Sequence, residues 1–300
     1  MHYKLRTKSS ELIKLDILYK RMDLSSDEKR RYTSLKKGFE GEVLFDLLTK
    51  KLECDCLILN DLFLSHNHTN FQLDTIIIGH GKIHLYEVKN NEGNYYFEAD
   101  NLYNMSGTRL SHPVHQINRS ESLLQQLIYN LGYKYSIESS VIYINPSFTM
   151  YNAPLNQPII YPTQLKAHLN QLNNTPSILT TKHYSLADTL IARHQPHSHF
   201  EQTPHFKYNE LKKGITCFEC HSFLNPSNNG TFICHVCQHI EKVTDAILRS
   251  ISEFRVLFPN EKITTSIIYD WCRVVSAQRI RRILLKHFNQ RSGHRWAYYV

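Results

Sequence analysis

The 300-residue chain has no apolar run approaching the ~18–20 residues that a membrane helix needs. Its first 21 residues, MHYKLRTKSSELIKLDILYKR, are charged where a signal peptide would carry an apolar core. These two absences argue against a membrane role and set the expectation of a cytoplasmic protein. Apart from two short cysteine pairs there is no internal repeat. Acidic residues run out at one end: from Lys262 to Val300 the single acid, Asp270, faces eight bases, Lys262, Arg273, Arg279, Arg281, Arg282, Lys286, Arg291 and Arg295. That segment therefore holds nearly all of the chain's net charge of +8, and points to an anionic partner. What remains is ordinary for a globular chain. At 41% hydrophobic and 21% charged it is too apolar for disorder, and its length suggests about two domains.

Residues 1–37 form a basic segment with helical spacing at Leu12, Ile13, Leu15, Ile17 and Leu18. From 38 to 193 the pattern is that of an α/β domain. It reads as a helix at 38–51, strands at 56–64, 71–78 and 82–89, a helix at 113–132 with Pro113 in its first turn, and strands at 139–145 and 158–161. A His-rich, Pro-punctuated and aperiodic stretch, 194–213, reads as a linker. The cysteine pairs occupy 214–240 and a helical basic region fills 241–300.

The segment Ile83-His84-Leu85-Tyr86-Glu87-Val88-Lys89 carries the clearest chemistry. Strand alternation puts Ile83, Leu85, Glu87 and Lys89 on one face and His84, Tyr86 and Val88 on the other. A hairpin turning around Gly79–Gly81 would bring Asp74 near Glu87. Two carboxylates converging at a sheet edge make a hard-oxygen site for Mg²⁺ or Mn²⁺, and a neighbouring lysine suits a phosphodiester-cleaving centre. A surface ion pair at a strand end is the plainer alternative.

Four stretches in order, Gly38-Phe39-Glu40-Gly41-Glu42, Gln72-Leu73-Asp74, Glu87-Val88-Lys89-Asn90 with Gly93, and Pro113-Val114-His115-Gln116, resemble the motifs of the nuclease-related domain (NERD) family over about residues 36–145. The resemblance implies a mixed-sheet domain of the restriction-endonuclease-like D…ExK fold. It implies Asp74 and Glu87 as ligands of a catalytic Mg²⁺ or Mn²⁺ and Lys89 as the catalytic lysine. It also implies Glu42 as a further acid, holding a second metal or anchoring the first, and Gln116 as a partner of metal-bound water or phosphate. Tyr103 departs from the pattern, standing where a tryptophan is expected.

Cys217-Phe218-Glu219-Cys220 and Cys234-His235-Val236-Cys237 give C-x₂-C-x₁₃-C-x₂-C, the spacing of a closed structural Zn²⁺ site of the zinc-ribbon type, with Asn228-Asn229-Gly230 as the intervening turn. Cys54, Cys56 and Cys272 lack metal spacing. In the tail, three helices and a strand-like end resemble a winged-helix layout. Ser276 can cap the third helix, where Arg279, Arg282 and Lys286 form a basic stripe with Arg281 nearby. Arg295 follows in the strand-like end. The expectation is a metal-dependent nuclease acting on nucleic acid, DNA above all, with no membrane partner. The alternative is a non-catalytic DNA-binding protein that keeps a nuclease-like scaffold.

Overall fold

The computed structural model describes residues 2–195, 201–226, 230–291 and 297–300. The chain divides into two compact units, Met1–Ser9 with Thr33–Phe200, and Ser10–Tyr32 with Glu201–Val300. The basic N-terminal segment is thus split. Its first residues form a strand of one unit and its helix belongs to the other.

The first unit is a mixed α/β structure. Its main sheet has six strands, β1 (His2–Lys4), β2 (Leu57–His66), β3 (Thr69–Ile78), β4 (Lys82–Lys89), β8 (Ser136–Tyr143) and β10 (Ile159–Ile160), in the order β1-β2-β3-β4-β8-β10. The β2–β3–β4 meander is antiparallel, while β1, β8 and β10 join parallel to their neighbours. A smaller sheet, β7-β6-β5-β9, is built from Arg109–Leu110, Asn101–Asn104, Gly93–Glu98 and Phe148–Tyr151. Across it Tyr103 pairs with Tyr96 and the two rings stack at 5.4 Å, so an aromatic contact survives the departure from tryptophan.

Alternation along the strands sends two sets of apolar residues to two separate cores. Ile83, Leu85 and Val141 pack with Val114, Ile117, Leu124 and Ile128 of helix α3 (Pro113–Asn130) and with Leu186 and Leu190 of α5 (Thr181–Ala192). Tyr86, Val88 and Ile142 pack with Phe45 of α2 (Ser26–Thr49) and with Leu165 and Leu172 of α4 (Pro162–Asn174). Helix α2 starts well before the expected residue 38. Ser25 Oγ accepts from the Glu28 N–H while Glu28 Oε2 accepts from the Ser25 N–H, a reciprocal cap that fixes the start. Helix α3 begins as expected, with Pro113 first and the His112 ring capping Val114.

The sheet is irregular at one level. On β2 the residues of the α3-side core are Leu57 and Leu59, then Leu62 and Leu64. On β3 they are Phe71 and Leu73, then Ile76 and Ile78. Both strands change phase at the same level, where Asp61 takes a left-handed φ of 53°. The β3–β4 ladder ends at the Thr75–Tyr86 pair, just short of Asp74.

The second unit is helical with two small hairpins. Helix α1 (Ser10–Arg21) and the hairpin β11 (Thr231–Ile233)–β12 (Ile240–Lys242) share one core with α6 (Val243–Leu257), α7 (Thr265–Cys272) and α8 (Ala277–His287). Strands β13 (Gln290–Arg291) and β14 (Tyr298–Tyr299) pair, and Tyr299 also bridges to Ile263. Arg21, wholly buried, donates to Glu253 Oε2 at 2.6 Å and to the carbonyls of Lys212 and Gly214, with its guanidinium 4.1 Å from the Trp271 ring centre. A buried guanidinium demands partners, and those of its two terminal nitrogens draw α1 and the chain around residue 212 into the C-terminal core. The later part of the expected linker is therefore ordered structure. Tyr208 donates to Asp270 and its ring lies against Trp271 and Phe258.

Candidate functional site

The end of β4 gathers the chemistry. Because β4 lies between β3 and β8, the site is at the end of a central strand and not, as expected, at a sheet edge. Asp74, where the β3–β4 ladder stops, turns its Oδ2 to accept the Val88 N–H at 2.8 Å. The carboxylate so replaces a backbone partner and is held directly beside Glu87 in register. Glu87 Oε1 accepts from Lys89 Nζ at 2.7 Å and from Gln116 Nε2 at 2.6 Å. Gln116 Oε1 in turn accepts from Lys89 Nζ at 3.2 Å. Strand alternation supplies the Glu87–Lys89 pair, and the first turn of α3 supplies the amide that closes the triangle.

Glu42 approaches from α2. The close approach has a specific cause at Gly41, where a Cβ would lie 2.5 Å from Asn90 Cβ. Asn90 is itself fixed, donating to the Lys37 carbonyl and accepting from Asn145. Gly38 of the same motif has open space around it. A residue absent from the sequence expectations completes the group. Arg6 donates from Nη1 to Glu42 Oε2 at 2.6 Å, from Nε and Nη2 to the two oxygens of Asp46, and from Nη2 to the Asp74 carbonyl and Thr75 Oγ1. Nothing local in MHYKLR marks this arginine, since its partners are 36 to 69 residues away.

The carboxylates are crowded and largely dry. Burial, reinforced by the Asp74 charge, pushes Glu42 up to about 8. Burial and the same neighbour push Glu87 up to about 7 against the pull of Lys89. Burial also raises Asp74, opposed by its bond from Val88. Buried oxygen donors whose ionised forms repel one another suit a hard divalent cation. Glu42, Asp74 and Glu87 do not, however, crowd their oxygens as tightly as the four cysteines crowd their sulfurs. Among the described residues those thiols are the one set of three or more potential ligands all within 4.8 Å of one another.

Residues 37–144 match the family profile of the nuclease-related domain. This part of the chain is a nuclease-related domain. No curated protein and no solved structure matches the chain. The nuclease-related domain spans α2 from Lys37 through β8, and so contains Glu42, Asp74, Glu87, Lys89 and Gln116 but not Arg6.

In the second unit Cys217, Cys220, Cys234 and Cys237 bring their sulfurs together, with Cys217–Cys237 at 3.6 Å and Cys220–Cys234 at 3.5 Å. A tetrahedral ion with Zn–S of about 2.3 Å requires sulfurs about 3.8 Å apart, so the cluster fits a metal such as zinc. The two loops are built alike. His221 and Gln238 follow the second cysteine of each pair with φ near 60°, and each donates its N–H to the carbonyl of the first. Ser222 Oγ lies 3.1 Å from Cys220 Sγ and 3.2 Å from Cys234 Sγ. The Ser222 hydroxyl, with backbone N–H groups of the second loop, pulls the Cys234 thiol down to about 5. His221, His235 and His239 are not in the ligand set. Asn228 and Asn229 of the expected turn lie outside the described residues.

The basic residues of the tail divide. Ile280, Ile283 and Leu284 face the core, and Ser276 Oγ caps α8 by accepting from Arg279 N–H. Arg281, Arg282 and Lys286 are exposed, whereas Arg279 is half-buried at the flank. Arg295 lies outside the described residues. Among the described residues no helix is long and apolar enough to cross a membrane.

The glycine geometry separates two positions that the motif alone treats alike. Gly41→Ala is expected to lower stability by about 1–3 kcal/mol, because Asn90 cannot yield without moving the end of β4. Gly38→Ala is expected to raise it by about 0.5–1 kcal/mol, as for any open helix-interior glycine. Urea unfolding of the two variants checks both signs.

Proposed function

We propose that the chain is a metal-dependent nuclease that hydrolyses phosphodiester bonds of DNA, with a zinc ribbon and a winged-helix-like binding module in its second unit. The observation that carries this reading is the triangle of Glu87, Lys89 and Gln116, closed by three hydrogen bonds of 2.6–3.2 Å beside Asp74. The nuclease-related domain over the same residues supports it, as does the restriction-endonuclease-like D…ExK reading of Asp74 on β3 beside the Glu87–Lys89 pair that ends β4.

Asp74 and Glu87 would hold Mg²⁺ or Mn²⁺, which when bound supplies Lewis-acid stabilisation of phosphate charge and a water of lowered pKa. The protein's own groups do the rest. The Val88 N–H fixes the orientation of Asp74. Lys89, only partly exposed, presents an ammonium whose remaining donor can meet a phosphate oxygen as charge builds there. Gln116 bonds both members of the pair and so fixes the distance between the acid and the base-bearing strand end. Glu42 shapes the far side of the group through Arg6.

The second unit supports the binding role. Helix α6, the Ile263 bridge, helices α7 and α8, and the β13–β14 pair follow in the order of a winged helix. In that layout α8 is the helix offered to a groove, and Arg281, Arg282 and Lys286 lie on its open side. Zinc in the Cys₄ site would be structural, adding folding energy to a segment that shares its core with α6. A four-thiolate site of this kind accords with a reducing, cytoplasmic setting.

Purified protein is expected to cleave plasmid DNA only with Mg²⁺ or Mn²⁺ present. Lys89→Ala and Asp74→Asn should each reduce the rate roughly 10²-fold or more with unchanged circular dichroism. Cleavage at wild-type rate by both variants would overturn the nuclease assignment and leave a DNA-binding scaffold. For the tail, Arg281→Ala with Arg282→Ala should weaken duplex binding and lower the salt slope by about 0.9 per lost phosphate contact. Lys262→Ala with Arg273→Ala should change little, since Lys262 lies on the Tyr298 ring and Arg273 pairs with Asp270. An unchanged slope in the first pair would remove α8 from the interface.

A further inference from the structure

We infer that Arg6 takes the place of a second metal ion, so that the carboxylate cluster accepts one divalent cation and no more. The inference rests on the proposed nuclease site. Arg6 is nearly enclosed, its side chain 2% exposed, and its guanidinium satisfies five acceptors at 2.6–3.1 Å. Two of its partners are carboxylates one helical turn apart, Glu42 and Asp46, and the Asp46 contact is the two-pronged geometry that suits arginine. A third is the backbone carbonyl of Asp74, the residue that also offers its side chain to the Val88 N–H. The guanidinium therefore ties Glu42 to the backbone of Asp74, and the Glu42 carboxylate that a second ion would need is already paired with a fixed cation.

Arg6 brings to Glu42 and Asp46 the positive charge that a second ion would otherwise supply. With Arg6 as a fixed cation, Glu42 is a positioning residue for the cluster and not itself a metal ligand. Arg6 in turn is set by β1, whose parallel pairing with β2 and whose Lys4 bonds to the Asn60 and Asp61 carbonyls fix the chain just before it.

The experiment counts Mn²⁺ bound to the zinc-loaded full chain by calorimetry and by electron paramagnetic resonance. Wild-type protein should bind one Mn²⁺ with the spectrum of an isolated ion, and Asp74→Asn should lose it. Arg6→Gln should bind two, with the line pattern of a coupled pair, while Arg6→Lys should stay at one. A purely structural arginine would not change the count. Two coupled ions in the wild type, both lost in Asp74→Asn, would overturn the inference while leaving the site reading intact. No Mn²⁺ in the wild type, or binding indifferent to Asp74→Asn, would overturn both. If Arg6→Gln fails to fold, the wild-type count and spectrum still decide.

Discussion

The bond from the Val88 N–H to Asp74 Oδ2 is the constraint on which the proposed centre depends. A carboxylate in a strand interior is costly to bury unless something donates to it. Here the donor comes from the neighbouring strand, at the point where the β3–β4 ladder has ended. The exchange of a backbone acceptor for a side-chain one opens the sheet at its centre and leaves Asp74 beside Glu87. The phase change in β2 and β3, with Asp61 in a left-handed conformation, is the backbone's share of the same event. Everything else at the site is arranged around that opening. Gly41 lets α2 come close, the first turn of α3 delivers Gln116, and β1 delivers Arg6.

The second unit is organised by a different demand. Its cysteine loops and short hairpins offer little apolar surface of their own, and their buried members, Cys217, Cys234 and Phe232, lie in the same core as Val243, Ile247 and Trp271. The Cys₄ segment and the helices after it are therefore one body. The charge on Arg21, satisfied by Glu253, two carbonyls and the Trp271 ring, brings the N-terminal helix into it.

What could be seen in the sequence was what depends on local spacing. The Glu87–Lys89 pair follows from period-two alternation, the Asp74–Glu87 approach from a hairpin, and the start of α3 from Pro113. The hydroxyls of Thr264 and Ser276, each accepting an N–H three residues on, mark where α7 and α8 begin. The early start of α2 was also legible, in the Ser25–Glu28 cap, but the basic run after it reads as a separate segment. The four-stranded sheet of β5, β6, β7 and β9 was not, because its strands are two to six residues long and one partner comes from beyond α3. Arg6 was invisible for a deeper reason. Its role exists only once residues far apart in the chain have met, and no local pattern records that.

The most direct test of the proposed centre is anomalous diffraction from a crystal of the full chain soaked in Mn²⁺. The expected result is a manganese peak within about 2.0–2.6 Å of side-chain oxygens of both Asp74 and Glu87, with Lys89 alongside. A crystal whose manganese signal is absent from this position, with Asp74 still bonded to Val88 and Glu87 to Lys89, would contradict it.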